Sequence, residues 1–246
     1  MLIPFNQMPV SDIKGVIHIG AHEAEELAGY CNFGISKVLW VEANSLKWDL
    51  LTEKISPYPS MVLGRFAAAA CSNKLATLKV ANNGQSSSLL EFGSHSTSYP
   101  TIKFIDEVTV NLLAVDDWLD QLGANRESYN FINIDIQGYE LEALRGMIKQ
   151  LKHVDYIYTE INTADVYKDC AHVADLDQFL GGFGFRRVTT KETEEGWGDA
   201  LYSRKNKSLL MAKFNYIKFV DRIRGHYHLL RSRFANDHNK AAKNRN

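Results

Sequence analysis

VIHIGAHEAEELAGYCNF, residues 16–33, decides the fold. Its first five residues are a short β-branched run ending at Gly20, and good helix formers follow at once, so the segment reads strand–turn–helix. The alternation continues outward. KVLWVEAN (37–44) reads as a buried strand and SLKWDLLTEKI (45–55) as the next helix, with Ser45 as its cap and Pro57 and Pro59 beyond its end. A third strand lies within MVLGRFAAAAC (61–71). Further on, DDWLDQL (116–122) is a helix, FINIDIQG (131–138) a strand, YELEALRGMIKQL (139–151) a helix, VDYIYTEIN (154–162) a strand and LDQFLGGFGF (176–185) a helix. FRRVTT and GDALYSRK close the series as two strands with no helix between, which predicts an antiparallel hairpin at one edge. Such alternation implies an α/β, Rossmann-like fold: a mostly parallel sheet with helices on both faces. The loops after successive strands then gather along one edge, where ligands bind.

Residues 72–115 break the pattern. ATLKVAN (76–82) and EVTVNLLAV (107–115) look like strands, and the polar, turn-rich NNGQSSSLLEFGSHSTSYP lies between them. This reads as an inserted hairpin with a loop that folds over a site.

A hydrophobic share of 45% is enough to build a real core. The net charge of −1 points to no partner, but its distribution is uneven. Residues 204–246 carry 12 of the 28 Lys and Arg but only 2 of the 29 Asp and Glu. An acidic body over 1–205 is therefore joined to a basic tail over 206–246, read as an amphipathic helix with a disordered end. The tail either packs on the body with a solvated basic face or docks on a membrane surface or an acidic partner; basic residues alone do not make it a nucleic-acid binder. Three scattered cysteines without a CxxC pair, no signal-peptide pattern at the N-terminus and no long apolar run lead to the expectation of a cytoplasmic protein.

Four positions carry the candidate chemistry. Gly20, closing the first strand, lets backbone approach a ligand. It does not belong to a GxGxxG motif, and Glu23, Glu25 and Glu26 load the following helical turns with negative charge. That repels a pyrophosphate and tolerates a cofactor with a positive centre. Glu42 ends the second strand, where an acid accepts hydrogen bonds from both ribose hydroxyls of an adenosine ligand. Asp135 interrupts an apolar strand, with Asn133 on its face, and Glu160 and Asn162 end the next strand in the same way. Such a cluster orients a hydroxyl, acts as general base, or binds a hard divalent ion of the magnesium kind.

VIHIGAHEAEEL, KVLWVEAN, SSSLL, VTVNLLAVDDWL, FINIDIQGYELEALRG and YIYTEIN, in this order and spacing, resemble the FkbM-type methyltransferases. Ile134-Asp135-Ile136-Gln137-Gly138-Tyr139-Glu140 carries the most specific part. The resemblance implies a class I methyltransferase fold with a seven-stranded sheet, and S-adenosylmethionine as cofactor. It places Gly20, Ala21 and His22 near the methionine part, Glu42 and Ala43 at the ribose, Ala70 near the adenine and Asp135 near the reacting end. His22 stands where the family often has Asn. Asp135, Glu160 or His22 is expected to act as base, with Ser87, Ser88, Gln137 and Asn162 contacting the acceptor, a hydroxyl of a glycan or small metabolite. Asp135 and Glu160 are also the candidate ligands of any metal. Two alternatives stay open: an inactive scaffold of the same fold, and an NAD-dependent enzyme.

Overall fold

The computed structural model describes residues 2–8, 10 and 12–205. The basic tail expected over 206–246 lies outside them. Phe5–Gln7 is a short 3-10 turn. Seven strands form the main sheet: β1 (Val16–Ile19), β2 (Val38–Val41), β3 (Met61–Gly64), β7 (Phe131–Ile134), β8 (Tyr156–Asn162), β9 (Arg186–Glu192) and β10 (Trp197–Ser203). Three more, β4 (Ala67–Ala68), β5 (Lys74–Ala81) and β6 (Phe104–Leu113), form a second sheet. The helices are α1 (Leu27–Asn32), α2 (Trp48–Ile55), α3 (His95–Ser98), α4 (Val115–Gln121), α5 (Glu140–Arg145) and α6 (Val173–Gly182).

The main sheet runs β3-β2-β1-β7-β8-β10-β9. From β3 to β8 every pairing is parallel, and Gly64, Val41, Ile19, Ile134 and Thr159 lie in register across it. The chain therefore leaves all five strands along one edge. β10 is antiparallel to both of its neighbours and slots between β8 and β9. The expected closing hairpin forms, but its second strand lies inside the sheet and only β9 is at the edge. This is the Rossmann-like class I methyltransferase arrangement.

Burial explains why the strands read as apolar runs. All four residues of β1, β2 and β7 and all seven of β8 are buried, because helices cover both faces. On one face Ile17, Ile19, Ile132 and Ile134 pack against Leu119 of α4, Leu144 of α5 and Leu180 of α6. On the other, the alternate residues His18, Trp40 and Asn133 meet Tyr30 of α1, with the His18 and Trp40 rings 4.8 Å apart. Tyr30 Oη lies 3.0 Å from His18 Nδ1 and accepts from Asn133 Nδ2 at 2.9 Å, whereas Trp40 Nε1 has no hydrogen-bond partner among the described residues.

Local expectations shift in three places. The third strand splits: β3 stays in the main sheet, while Ala67–Ala68 crosses to pair with Leu112–Leu113 of β6. α1 begins only at Leu27, since His22 (φ 43°) and Ala24 (φ 54°) turn the chain in the left-handed region. Its early glutamates are therefore turn residues. Asn44, not Ser45, caps the segment before α2, its side chain accepting from the Leu46 N–H at 3.0 Å. The inserted hairpin forms as β5–β6. No described helix is long and apolar enough to cross a membrane.

Candidate active site

Two cavities meet at the edge where β1, β2, β7 and β8 end. The first, open to solvent, spans about 630 Å³ and is lined by Glu42, Ala43, Phe66, Ala68, Leu78 and Leu89. The second, also open, spans about 1370 Å³ beside α1 and β8. Gly20, His22, Gln85, Asp135 and Gln137 line both and form the junction.

Gly20 is required there for a reason beyond ligand approach. Its φ is 87°, and an added Cβ would stand 1.9 Å from the Asp135 carbonyl oxygen. The ends of β1 and β7 touch at this residue. Two non-glycine residues at the junction, His22 and Gln137 (φ 58°), also hold left-handed backbone. Such strain gathers at functional sites when the surroundings enforce it. Here Glu42 Oε2 accepts the His22 N–H at 2.7 Å, and Glu140 Oε1 accepts the N–H groups of Ile136 and Gly138 at 3.0 and 3.1 Å across Gln137.

Glu42 is 8% exposed and opens onto the first cavity. Burial pushes its carboxyl above the usual range, against the backbone hydrogen bonds from Asn44 and His22 that favour its charge. Each oxygen takes one N–H, at 2.7 Å, and keeps a further lone pair. Two oxygens fixed side by side can therefore receive a vicinal diol, and the apolar wall opposite suits a flat base. The donor set fits S-adenosylmethionine or another adenosine ligand.

Asp135, exposed to the cleft, and Glu160, buried at the end of β8, come together through one side chain. Gln137 Nε2 donates to Asp135 Oδ1 at 2.7 Å and to Glu160 Oε2 at 2.5 Å, and Gln137 Oε1 accepts from Tyr167 Oη at 2.5 Å. Burial first, then the Asp135 and Glu140 carboxyls, hold Glu160 well above the usual carboxylate range. Glu140 is pushed up to about 7, chiefly by burial. The surroundings of Glu160 therefore favour its neutral form. The amide fills the place a shared cation would take, and among the described residues no group of three or more His, Cys, Asp or Glu could hold a metal. The residues do not fit the magnesium-like ion that the sequence left open.

His22 Nδ1 lies 2.6 Å from Glu25 Oε1. Burial raises the Glu25 carboxyl, but the His22 hydrogen bond and the charge-favouring contacts that follow outweigh it and bring it down to about 2. Glu25 therefore accepts and Nδ1 donates, and Nε2 is the remaining ring nitrogen. That nitrogen is buried against Gly84 without a partner among the described residues.

The loop after β5 closes over the junction. Ser88 pairs with Lys79 on one side, and Phe92 bridges to Tyr167 on the other. Ser87 lines the first cavity, but its hydroxyl donates to the Gly84 carbonyl and accepts from the Ala81 N–H. Ser88 Oγ donates to the Gln137 carbonyl at 2.7 Å and pins the loop to the junction. Ala21, Ala70, Ser88 and Asn162 line neither cavity: Ala70 faces outward, and Asn162 is wholly buried with both amide atoms unpartnered among the described residues. Residues the sequence did not single out also line the second cavity, namely His18, His95, Tyr99 and Asp199, and Glu26 joins them. For Asp199 a signal existed, since it interrupts the apolar β10 as Asp135 interrupts its own segment.

Sheet order, junction and paired cavities define a methyltransferase-type α/β domain. The FkbM methyltransferase domain matches residues 18–187, and the chain belongs to that family. It is 29% identical over 83 residues to the 2-O-methyltransferase NoeI of Sinorhizobium fredii, a match covering 34% of this chain and 33% of that protein, so the chain spans about a third of that relative's length. Among solved structures it is similar to precorrin-6y C5,15-methyltransferase of Geobacter metallireducens, with 12% identity, TM-score 0.47 and 83% and 87% of the two chains covered. It is also similar to magnesium protoporphyrin IX methyltransferase of Synechocystis with bound S-adenosylmethionine, with 10% identity, TM-score 0.42 and 77% and 69% covered.

Proposed function

We propose that the chain moves a methyl group from S-adenosylmethionine to a hydroxyl oxygen of a sugar, glycan or other small polar acceptor. One observation carries this reading: a cavity with a ribose-type acid opens into a second, polar cavity at a junction that holds an exposed carboxylate. The similarity to a 2-O-methyltransferase supports the choice of oxygen.

When bound, the cofactor supplies a methyl group already activated by its sulfonium sulfur. Glu42 receives the ribose hydroxyls, Ala43 lies beside it, and the apolar wall of Phe66, Ala68, Leu78 and Leu89 takes the base. Gly20 and the loop at Gln85 bring backbone to the junction. The chain's remaining work is to align an acceptor hydroxyl, exclude water and remove one proton. Asp135 is the base. It is exposed and lines both cavities, whereas Glu160 is buried where its neutral form is favoured and His22 is engaged by Glu25. Gln137 holds Asp135 in place, and Trp197 with Tyr99 offers an aromatic wall to a sugar ring.

Turnover of Asp135→Asn tests the assignment. A base of this kind contributes about a hundred-fold or more, so methyl transfer should fall by that factor while cofactor affinity stays within about three-fold, under 1 kcal/mol. Normal turnover in Asp135→Asn would remove Asp135 from the role.

A further inference from the structure

The second cavity has a charge imbalance that methyl transfer alone does not use. Five carboxyl groups line it, from Glu25, Glu26, Asp135, Glu160 and Asp199, and among the described residues no lysine or arginine does. Four of the five have donors of their own. His22 serves Glu25, Gln137 serves Asp135 and Glu160, and Tyr158 Oη and the Leu2 N–H serve Asp199. Glu26 has no hydrogen bond to its carboxylate among the described residues. Its side chain is 22% exposed, and among the described residues its one ion-pair contact is His18 Nε2 at 3.9 Å. Burial holds His18 below its ordinary range, so at neutral pH that ring does not cancel the charge. A carboxylate largely withdrawn from water and left uncompensated is costly unless a ligand completes it.

A second feature points to a ligand independently. His95 is 6% exposed, lines the same cavity, and its Nδ1 has no hydrogen-bond partner among the described residues. Its ring stacks on Phe92 at 4.4 Å, so the orphan nitrogen is held in place. Trp197 Nε1 donates to Tyr99 Oη at 3.0 Å, which fixes the aromatic wall.

Resting on the hydroxyl-methylation reading above, we propose that the acceptor is an amino sugar or amino-polyol whose protonated amine seats on Glu26, with Glu25 beside it. A cationic amine cancels the unmatched charge and supplies the donors Glu26 lacks. His95 Nδ1 then serves one of the acceptor's hydroxyls. A uronic acid or a phosphorylated sugar would instead bring like charge against a wall to which the described residues contribute no lysine or arginine, and should bind less well.

Calorimetric titration of the full chain, loaded with S-adenosylhomocysteine, tests this with three ring-matched probes: glucosamine, N-acetylglucosamine and glucuronic acid. Glucosamine should bind about ten-fold more tightly than N-acetylglucosamine, and glucuronic acid should bind less well than glucosamine. Glu26→Gln should erase the preference, and rising sodium chloride should shrink it in the unaltered chain, which keeps the test independent of how the variant folds. Equal or tighter binding of either other probe, a preference untouched by Glu26→Gln and by salt, or no binding of glucosamine overturns the proposal. Binding of S-adenosylhomocysteine is read in the loading step. Its absence counts against the methyl-transfer reading, while the probe preference is still measured on the unloaded chain.

Discussion

Gln137 Nε2 donates to the carboxyl of Glu160 at 2.5 Å, and through the same nitrogen it reaches Asp135 at 2.7 Å. One neutral amide thus bridges two acids that face each other, and Tyr167 fixes its other end. Gln137→Leu removes the bridge and leaves buried oxygens unpaired. It should cost about 1–3 kcal/mol of stability and lower turnover about ten-fold or more. Denaturant melts and steady-state rates measure the two, and a variant as stable and active as the parent would show that the bridge is incidental.

Gly20 joins the strand ends at the junction. Gly20→Ala must place a Cβ 1.9 Å from the Asp135 carbonyl oxygen at a φ of 87°. Both the backbone strain and the forced shift of β7 oppose it, so the loss should reach about 2–4 kcal/mol. Thermal unfolding reads it. Gly29→Ala is the control: it meets nothing within 4 Å and should change stability little.

The alternation of strands and helices was legible because strands covered on both faces are mostly apolar, as VIHI and FINI are with one polar residue each. Placing β10 inside the sheet was not, since a buried antiparallel strand and an edge strand share the same local pattern. Glu42 and Asp135 stood out as acids closing or interrupting apolar runs. Glu26 looked like ordinary helix-start charge, and only the left-handed turns at His22 and Ala24 make it part of a cavity wall. The serines suggested free hydroxyls. Ser87 and Ser88 instead bond backbone, a pairing that depends on the path of the loop.

Stability should depend on pH through Glu140. Its carboxyl rises from 4.5 to about 7 in the folded chain, so the folded state binds more protons than the unfolded one between those values. Stability therefore falls as pH rises across that window and levels off for this group above it. Glu25, lowered to about 2, acts below 4.5 and does not overlap. Glu140→Gln, which can still accept the N–H groups of Ile136 and Gly138, should flatten the slope in urea melts taken at several pH values. An unchanged slope would assign it to other groups.

Calorimetric titration with S-adenosylmethionine, with NAD as control, tests the first cavity as a cofactor site most directly. Micromolar binding, about −8 kcal/mol, is expected, with no response to NAD. Affinity in Glu42→Ala should fall by about a hundred-fold, the worth of two hydrogen bonds to a charged group. A folded chain that ignores S-adenosylmethionine, or a Glu42→Ala variant that binds it as tightly as the parent, would contradict the assignment.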